Sequence, residues 1–253
     1  MKRLIVFVFV LTVCFSDEST VIFVSPPRTG TNWFKYSIEG ITNRYVSFWH
    51  RFHSSEPFVV PDETFYGTHH IDKSKSPILH THYPYHHLNA YVHKGHKLIL
   101  IIRNHKEYLL RRAKEKTKDK DEIIKKITTP FLVHQYMQYF KFYEAWEDDK
   151  RLLIHYEDLV NDFETVIKKV LDFIGEDDAR LDRFVANIDY HKDKVMKIYN
   201  RIYRKDGGAI SGGKDVLFHS KDIPLPILHQ IDSLIEKKYP HYWNAYLKRY
   251  KTL

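Results

Sequence analysis

Thr20-Val-Ile-Phe-Val-Ser25 runs directly into Pro26-Pro-Arg-Thr-Gly-Thr-Asn-Trp33, and this junction decides the fold. Residues 20 to 25 read as a short buried strand, stopped by two prolines that cannot donate to a ladder. Gly30 supplies a tight turn, and from Asn32 the residues Trp33, Phe34, Ser37, Ile38 and Ile41 keep helical spacing. Strand, glycine turn, helix is the order in which an α/β domain presents helix N–H groups to an anion. A Walker A loop needs a second glycine followed by Lys and Ser or Thr, whereas here Gly30 stands alone and Arg28 is the loop's one cation. ATP hydrolysis is therefore disfavoured.

Further along the chain, Lys97-Leu-Ile-Leu-Ile-Ile102 is nearly all apolar, as a parallel strand covered on both faces should be, and it ends at Arg103. Arg151-Leu-Leu-Ile-His-Tyr156 reads as a third strand. Between them, His105 to about Ile127 is helical and rich in Lys and Glu, so one face is solvated. Residues 130 to 148 carry an aromatic stripe with Tyr136, Tyr139, Phe140 and Tyr143, read as core that could also line an apolar pocket. Glu157 to Ile174 is amphipathic, with Gly175 as its C-cap. Strands alternating with helices imply right-handed crossovers. The expected fold class is α/β: a three-layer α/β/α domain with a central parallel sheet and a P-loop-like nucleotide-binding architecture.

The chain has 253 residues, 43% apolar, 28% charged and 15% aromatic, with 9 Gly and 10 Pro, which suits one globular domain and excludes disordered or fibrous classes. Its 40 Lys and Arg outnumber 32 Asp and Glu, a formal charge of +8, and 17 His add latent positive charge. Anions are the natural partners. One cysteine, Cys14, excludes an intrachain disulfide, a zinc ribbon and cysteine catalysis elsewhere in the chain. Lys2 and Arg3 precede the apolar run Leu4 to Phe15, too short to span a bilayer but of the length of a leader's apolar region. We expect a signal peptide at residues 1–16 and a single domain at 17–253. Its removal takes away two basic residues and no acidic one, so +8 becomes +6.

The residues that carry chemistry converge on anion binding. Arg103 stands at the carboxyl end of a buried strand, where open α/β sheets bind ligands. Four of the nine glycines fall between Gly207 and Gly213, in a stretch flanked by Arg204, Lys205 and Lys214, which suits a second phosphate. His69, His70, His80, His82, His86 and His87 crowd one span. His80 and His82 share a strand face at a spacing that can bind zinc or copper, but in an aromatic-rich chain packing or surface roles are the favoured reading, and no metal is expected.

This combination resembles the sulfotransferases that use 3′-phosphoadenosine 5′-phosphosulfate (PAPS). Pro26 to Trp33 looks like their 5′-phosphosulfate loop, with Arg28 where cytosolic members often have Lys. Ile78-Leu-His-Thr-His-Tyr-Pro84 is similar to the Lys-Thr-His-Leu-Pro stretch whose His is the catalytic base, which maps that role onto His82. Leu98 to Glu107 resembles the strand and turn of the 3′-phosphate site, mapped onto Arg103. Leu153-Ile-His-Tyr-Glu-Asp-Leu159 matches the Tyr-Glu-Asp signature, whose Tyr, here Tyr156, lies near the adenine. Arg204 and Lys205 with Gly207 look like the Arg-Lys-Gly loop over the 3′-phosphate. One departure is Arg111, where the family usually has Ser; a guanidinium there could serve the same phosphate. The family's Lys-Thr-Val-Glu dimer motif is missing from Lys214 to His219, so the oligomeric state stays open.

The resemblance implies sulfuryl transfer from PAPS, as co-substrate and without a metal, to a hydroxyl of a small alcohol or phenol, a glycan or a tyrosine. His82 and Arg28 would be catalytic, and Arg28, Thr29, Gly30, Thr31, Asn32, Trp33, Arg103, Arg111, Tyr156, Arg204, Lys205 and Gly207 would hold the nucleotide. The alternatives are a non-catalytic binder of an anionic nucleotide or sulfated glycan and, behind it, a kinase-like phosphotransferase. Neither nucleic acid nor a stable transmembrane span is expected. A genuine leader implies a Golgi-type lumen or secretion; without it the location is cytoplasmic.

Overall fold

The computed structural model describes residues 20–48, 78–82, 96–115, 117–204 and 220–252. Five strands form one parallel sheet in the order β2-β3-β1-β4-β5: β1 (Val21–Val24), β2 (Val46–Phe48), β3 (Ile78–Thr81), β4 (Lys97–Ile102) and β5 (Arg151–His155). β1 is central, with Phe23 opposite His80 on one side and Ile99 on the other. The expected leader lies outside the described residues, and none of the helices among them is long and apolar enough to cross a membrane.

Alternation along the strands assigns each side chain to a face. Ile22, Val24, Leu98, Leu100 and Ile102 face one core, with α2 (His105–Lys114), α3 (Lys120–Ile127), α4 (Pro130–Glu144) and α9 (Leu225–Lys238). Val21, Phe23, Ile99, Ile101 and Ile154 face the other, with α1 (Thr31–Thr42), α5 (Tyr156–Asn161), α6 (Phe163–Ile174), α7 (Leu181–Ala186) and α8 (Ile188–Arg204). The result is the three-layer α/β/α arrangement read from the sequence, and the aromatic stripe of α4 is core: Tyr136, Tyr139, Phe140 and Tyr143 are all buried.

Two expected helices are each divided. Between Lys114 and Lys120 the chain restarts at Asp119, whose carboxylate accepts the Glu122 N–H at 2.7 Å and caps α3. At Asp162 the backbone leaves helical angles (φ −138°): its N–H closes α5 on Asp158 O at 2.8 Å and its carbonyl opens α6 by accepting from Val166. Tyr156 opens α5 rather than ending β5. Gly175 ends α6 as expected, at φ 78°, donating to Leu171 O at 2.9 Å. The edge strand β2 carried no sequence signal; it is three residues long and held partly by a side chain, Glu39 Oε1, which accepts the Val46 N–H at 3.0 Å.

Candidate functional site

The β1–α1 loop turns at the carboxyl edge of the central strand. Arg28 takes φ 72° and Gly30 φ 86°. The first intrahelical bond of α1 runs from Phe34 N–H to Gly30 O at 3.1 Å, so the amides of Thr31, Asn32 and Trp33 precede the helical ladder. No side chain caps this end and no acidic residue stands in its first turn, which leaves the positive end of the helix uncompensated within the described residues. Thr29 is buried, its hydroxyl donating to Pro26 O at 2.7 Å and tightening the turn. A Cβ on Gly30 would lie 2.2 Å from the Tyr156 ring, so that ring packs directly on the loop backbone.

Arg103, at the end of β4, lies with its guanidinium 4.4 Å from the centre of the same Tyr156 ring. One terminal nitrogen approaches Arg28 O at 3.5 Å, and Nε is buried with no hydrogen-bond partner among the described residues. An anion would satisfy that group. Arg111, one turn beyond Glu107 on α2, faces the same place: burial and then the neighbouring Arg103 charge push its pKa down, while Glu107 Oε2 stands 3.5 Å from its Nε. Burial and then Arg111 likewise push the pKa of Lys114 down. Burial opposes ionisation of Glu107, yet hydrogen bonds from Ser220 and the charges of Arg103 and Arg111 hold its carboxyl below the ordinary value. The cluster repels itself and is poised for negative charge.

The Arg28 side chain is placed differently from expectation. It turns to Glu115, Nε to Oε1 3.2 Å, in a partly exposed pair of a kind worth at most about 1 kcal/mol. A ligand anion that recruits Arg28 has to displace that pair.

His82 follows β3, beside the loop. Its Nδ1 lies 2.9 Å from Ser25 O. A carbonyl only accepts, so Nδ1 carries the proton and the neutral ring keeps its basic lone pair on Nε2. Its own carbonyl accepts the Tyr139 hydroxyl. His80 is wholly buried, with Nε2 3.1 Å from Ser25 Oγ, so it is not positioned as an alternative base. The two rings meet edge-on at 4.7 Å, and among the described residues no three His, Cys, Asp or Glu side chains form a metal-binding group. His69, His70, His86 and His87 lie outside the described residues.

Trp33 packs away from the loop, 5.2 Å from Phe163 and 6.1 Å from Phe184. Asn32 sits at the second position of α1. Arg204 is the last residue of α8, while Lys205, Gly207 and the rest of the glycine stretch lie outside the described residues.

The turn at Arg103 is fixed by residues that sequence reasoning missed. Tyr136 OH donates to Arg103 O at 2.6 Å. Glu157 Oε1 accepts the Asn104 N–H at 3.0 Å, and its Oε2 accepts the Tyr250 hydroxyl at 2.7 Å. That hydroxyl has spent its proton, so His155 Nδ1, 2.7 Å away, donates to it. His155 is held neutral: burial, then Arg249, lowers its pKa to about 4. Behind the turn Asp232 accepts from His105 Nε2 at 2.7 Å and Thr252 N at 2.8 Å and pairs with Lys106 at 2.9 Å. Glu157 was visible inside Tyr156-Glu-Asp158; Tyr250, 93 residues away in sequence, carried no signal.

Comparison with known proteins adds a family. A family model described as the sulfotransferase domain matches residues 18–217. A 3-beta-hydroxysteroid sulfotransferase of Cavia porcellus is 26% identical over 179 residues, 63% of this chain and 60% of the relative. The chain thus aligns with less than two thirds of that relative's length. A mouse sulfotransferase complexed with PAP superposes with a TM-score of 0.58 at 17% identity, over 88% of this chain and 84% of the other. A retinol dehydratase in complex with retinol and PAP gives 0.57 at 14% identity, over 87% and 81%. At these identities the superpositions establish the shared α/β fold.

Proposed function

The chain belongs to the sulfotransferase domain family, and from that premise we propose that it transfers the sulfuryl group of PAPS to a hydroxyl-bearing acceptor, with His82 as general base. The observation that carries this reading is a convergence at one edge of the sheet. The uncapped start of α1, the half-satisfied guanidinium of Arg103 and the Nδ1-protonated ring of His82 all adjoin the β1–α1 loop. PAPS supplies the activated sulfuryl group and a phosphate leaving group. The donor set fits it: the amides of Thr31, Asn32 and Trp33 with the loop residues Thr29 and Gly30 for the 5′ end, and Arg103 with Arg111 for the 3′-phosphate.

His82 Nε2 takes the acceptor hydroxyl proton as that oxygen bonds to sulfur. The helix amides, and Arg28 once released from Glu115, stabilise charge on the departing phosphate oxygen. Tyr156 supports the loop and Arg103 together, and its edge is the contact we assign to the adenine. Arg204, Lys205 and Gly207 are proposed to complete the 3′-phosphate site.

The nucleotide arm is tested by thermal unfolding: adenosine 3′,5′-bisphosphate should raise the Tm and ATP should not, whereas no shift with either would remove the enzyme reading. The acceptor is sought by supplying labelled PAPS to a panel of alcohols, phenols, glycans and tyrosyl peptides. Apolar alcohols head that panel, because the curated relative is named for a 3-beta-hydroxysteroid and one structural neighbour holds retinol. His82→Ala should slow transfer by about 100-fold or more while leaving bisphosphate affinity intact. Unchanged transfer would require another base.

A further inference from the structure

Resting on the reading that the β1–α1 loop holds the 5′ anion, we propose that His80 is a positioning residue. It heads a hydrogen-bond relay, His80 to Ser25 to Thr31, that makes the Thr31 hydroxyl a donor directed at that anion. Ser25 Oγ lies 3.1 Å from His80 Nε2 and 2.8 Å from Thr31 Oγ1. Ser25 and His80 are fully buried, and Thr31, the first residue of α1, is nearly so. The backbone of Ser25 is pinned on both sides, its N–H donating to Thr81 O at 3.2 Å and its carbonyl accepting from His82 Nδ1 at 2.9 Å. With the backbone fixed and the side chain fully buried, the Ser25 hydroxyl is held between the other two.

A hydroxyl has one proton, so the relay has two possible directions. With Ser25 donating to His80, Ser25 accepts from Thr31, and Thr31 presents only lone pairs outward, which repel an anion. With His80 donating from Nε2, Ser25 accepts and passes its own proton to Thr31 Oγ1, and the Thr31 proton is released for a ligand oxygen. Bound negative charge selects the second direction. In a site closed to water, consecutive hydrogen bonds polarise one another, so each donor strengthens the next. The His80 ring is held in place to do this, 4.8 Å from Phe23 and 4.7 Å from His82, and on β3 it stands opposite Phe23 of the central strand. Two histidines two residues apart thus have separate tasks: His82 handles the acceptor proton and His80 sets the polarity of the loop.

Titration calorimetry with adenosine 3′,5′-bisphosphate and with adenosine 3′-monophosphate measures what the 5′-phosphate contributes to binding. The protein should prefer the bisphosphate, and His80→Leu should cut that preference about tenfold, the scale of one hydrogen bond to a charged group, leaving the 3′-monophosphate affinity unchanged. His80→Gln, which keeps an N–H donor, should restore most of it. In a Thr31→Val background His80→Leu should change nothing more, since the relay then has no end to act through. Equal losses for both nucleotides, or additive losses in that background, would overturn the proposal and leave His80 a packing residue. Ser25→Ala cuts the relay in its middle and carries the same expectation if His80→Leu does not fold. Should the unaltered protein bind both nucleotides alike, the anion reading itself falls and the relay with it. A protein that prefers the bisphosphate, and keeps that preference in His80→Leu, removes only the relay.

Discussion

A methyl group at position 30 would meet the Tyr156 ring at 2.2 Å, on a backbone at φ +86° that L side chains rarely adopt. Gly30→Ala should therefore displace the ring or the loop and abolish the Tm rise with adenosine 3′,5′-bisphosphate, while a far-ultraviolet spectrum stays native. Arg103→Lys keeps the charge but loses the planar fork that lies over Tyr156, 4.4 Å from its centre. Bisphosphate affinity should fall about tenfold or more, read by calorimetry, with little change for adenosine 5′-monophosphate, which lacks the 3′-phosphate. At this scale the sequence was informative. Gly30, Arg103 and His82 stood out because a lone loop glycine, a cation ending an apolar strand and a histidine in a recognisable local pattern are all short-range signals. Their partners were not visible: nothing near Ser25 in the chain says that two histidines more than fifty residues away will meet it.

Elements show the same division. The apolar run Lys97–Ile102 is a strand end to end because nearly every side chain in it is buried, and Gly175 stops α6 because only a left-handed residue completes that cap. The breaks at Asp119 and Asp162 were missed because hydrophobic spacing continues across them; what ends the helices is local capping and backbone angle, which the spacing does not report. The C-terminal segment is the clearest case of an element given its role by packing. Tyr250 OH stands between His155 and Glu157, and Glu157 holds the amide of Asn104 beside Arg103. Tyr250→Phe removes one hydroxyl and strands two half-buried partners, His155 and Glu157. Denaturant unfolding should show a loss of about 1–3 kcal/mol, and the Tm should fall without loss of helix content.

For the whole molecule, His105 and His155 set a pH limit. Burial lowers the pKa of His105 and, together with Arg249, takes His155 to about 4 from its ordinary 6.5. A base harder to protonate when folded binds its proton more readily when unfolded. Its contribution to stability is complete above pH 6.5 and is lost as pH falls from there towards about 4. Asp232 is unaffected in that window: burial opposes its ionisation, but hydrogen bonds from His105, Thr252 and Lys106 keep its carboxyl well below the ordinary 3.8. The Tm should drop between pH 7 and pH 5 in calorimetric scans, and His155→Gln should flatten the slope. By itself the sequence determined the α/β class and the central strands, and it singled out the loop before α1 and His82 for the functional proposal, since apolar periodicity, proline, glycine and strand-end charge act over a few residues. Tertiary structure alone decided that Arg28 turns to Glu115, that His80 meets Ser25 and that Tyr250 braces the Arg103 turn through Glu157. Those contacts join segments whose meeting depends on how the helices and the sheet pack, a global property that local spacing does not encode.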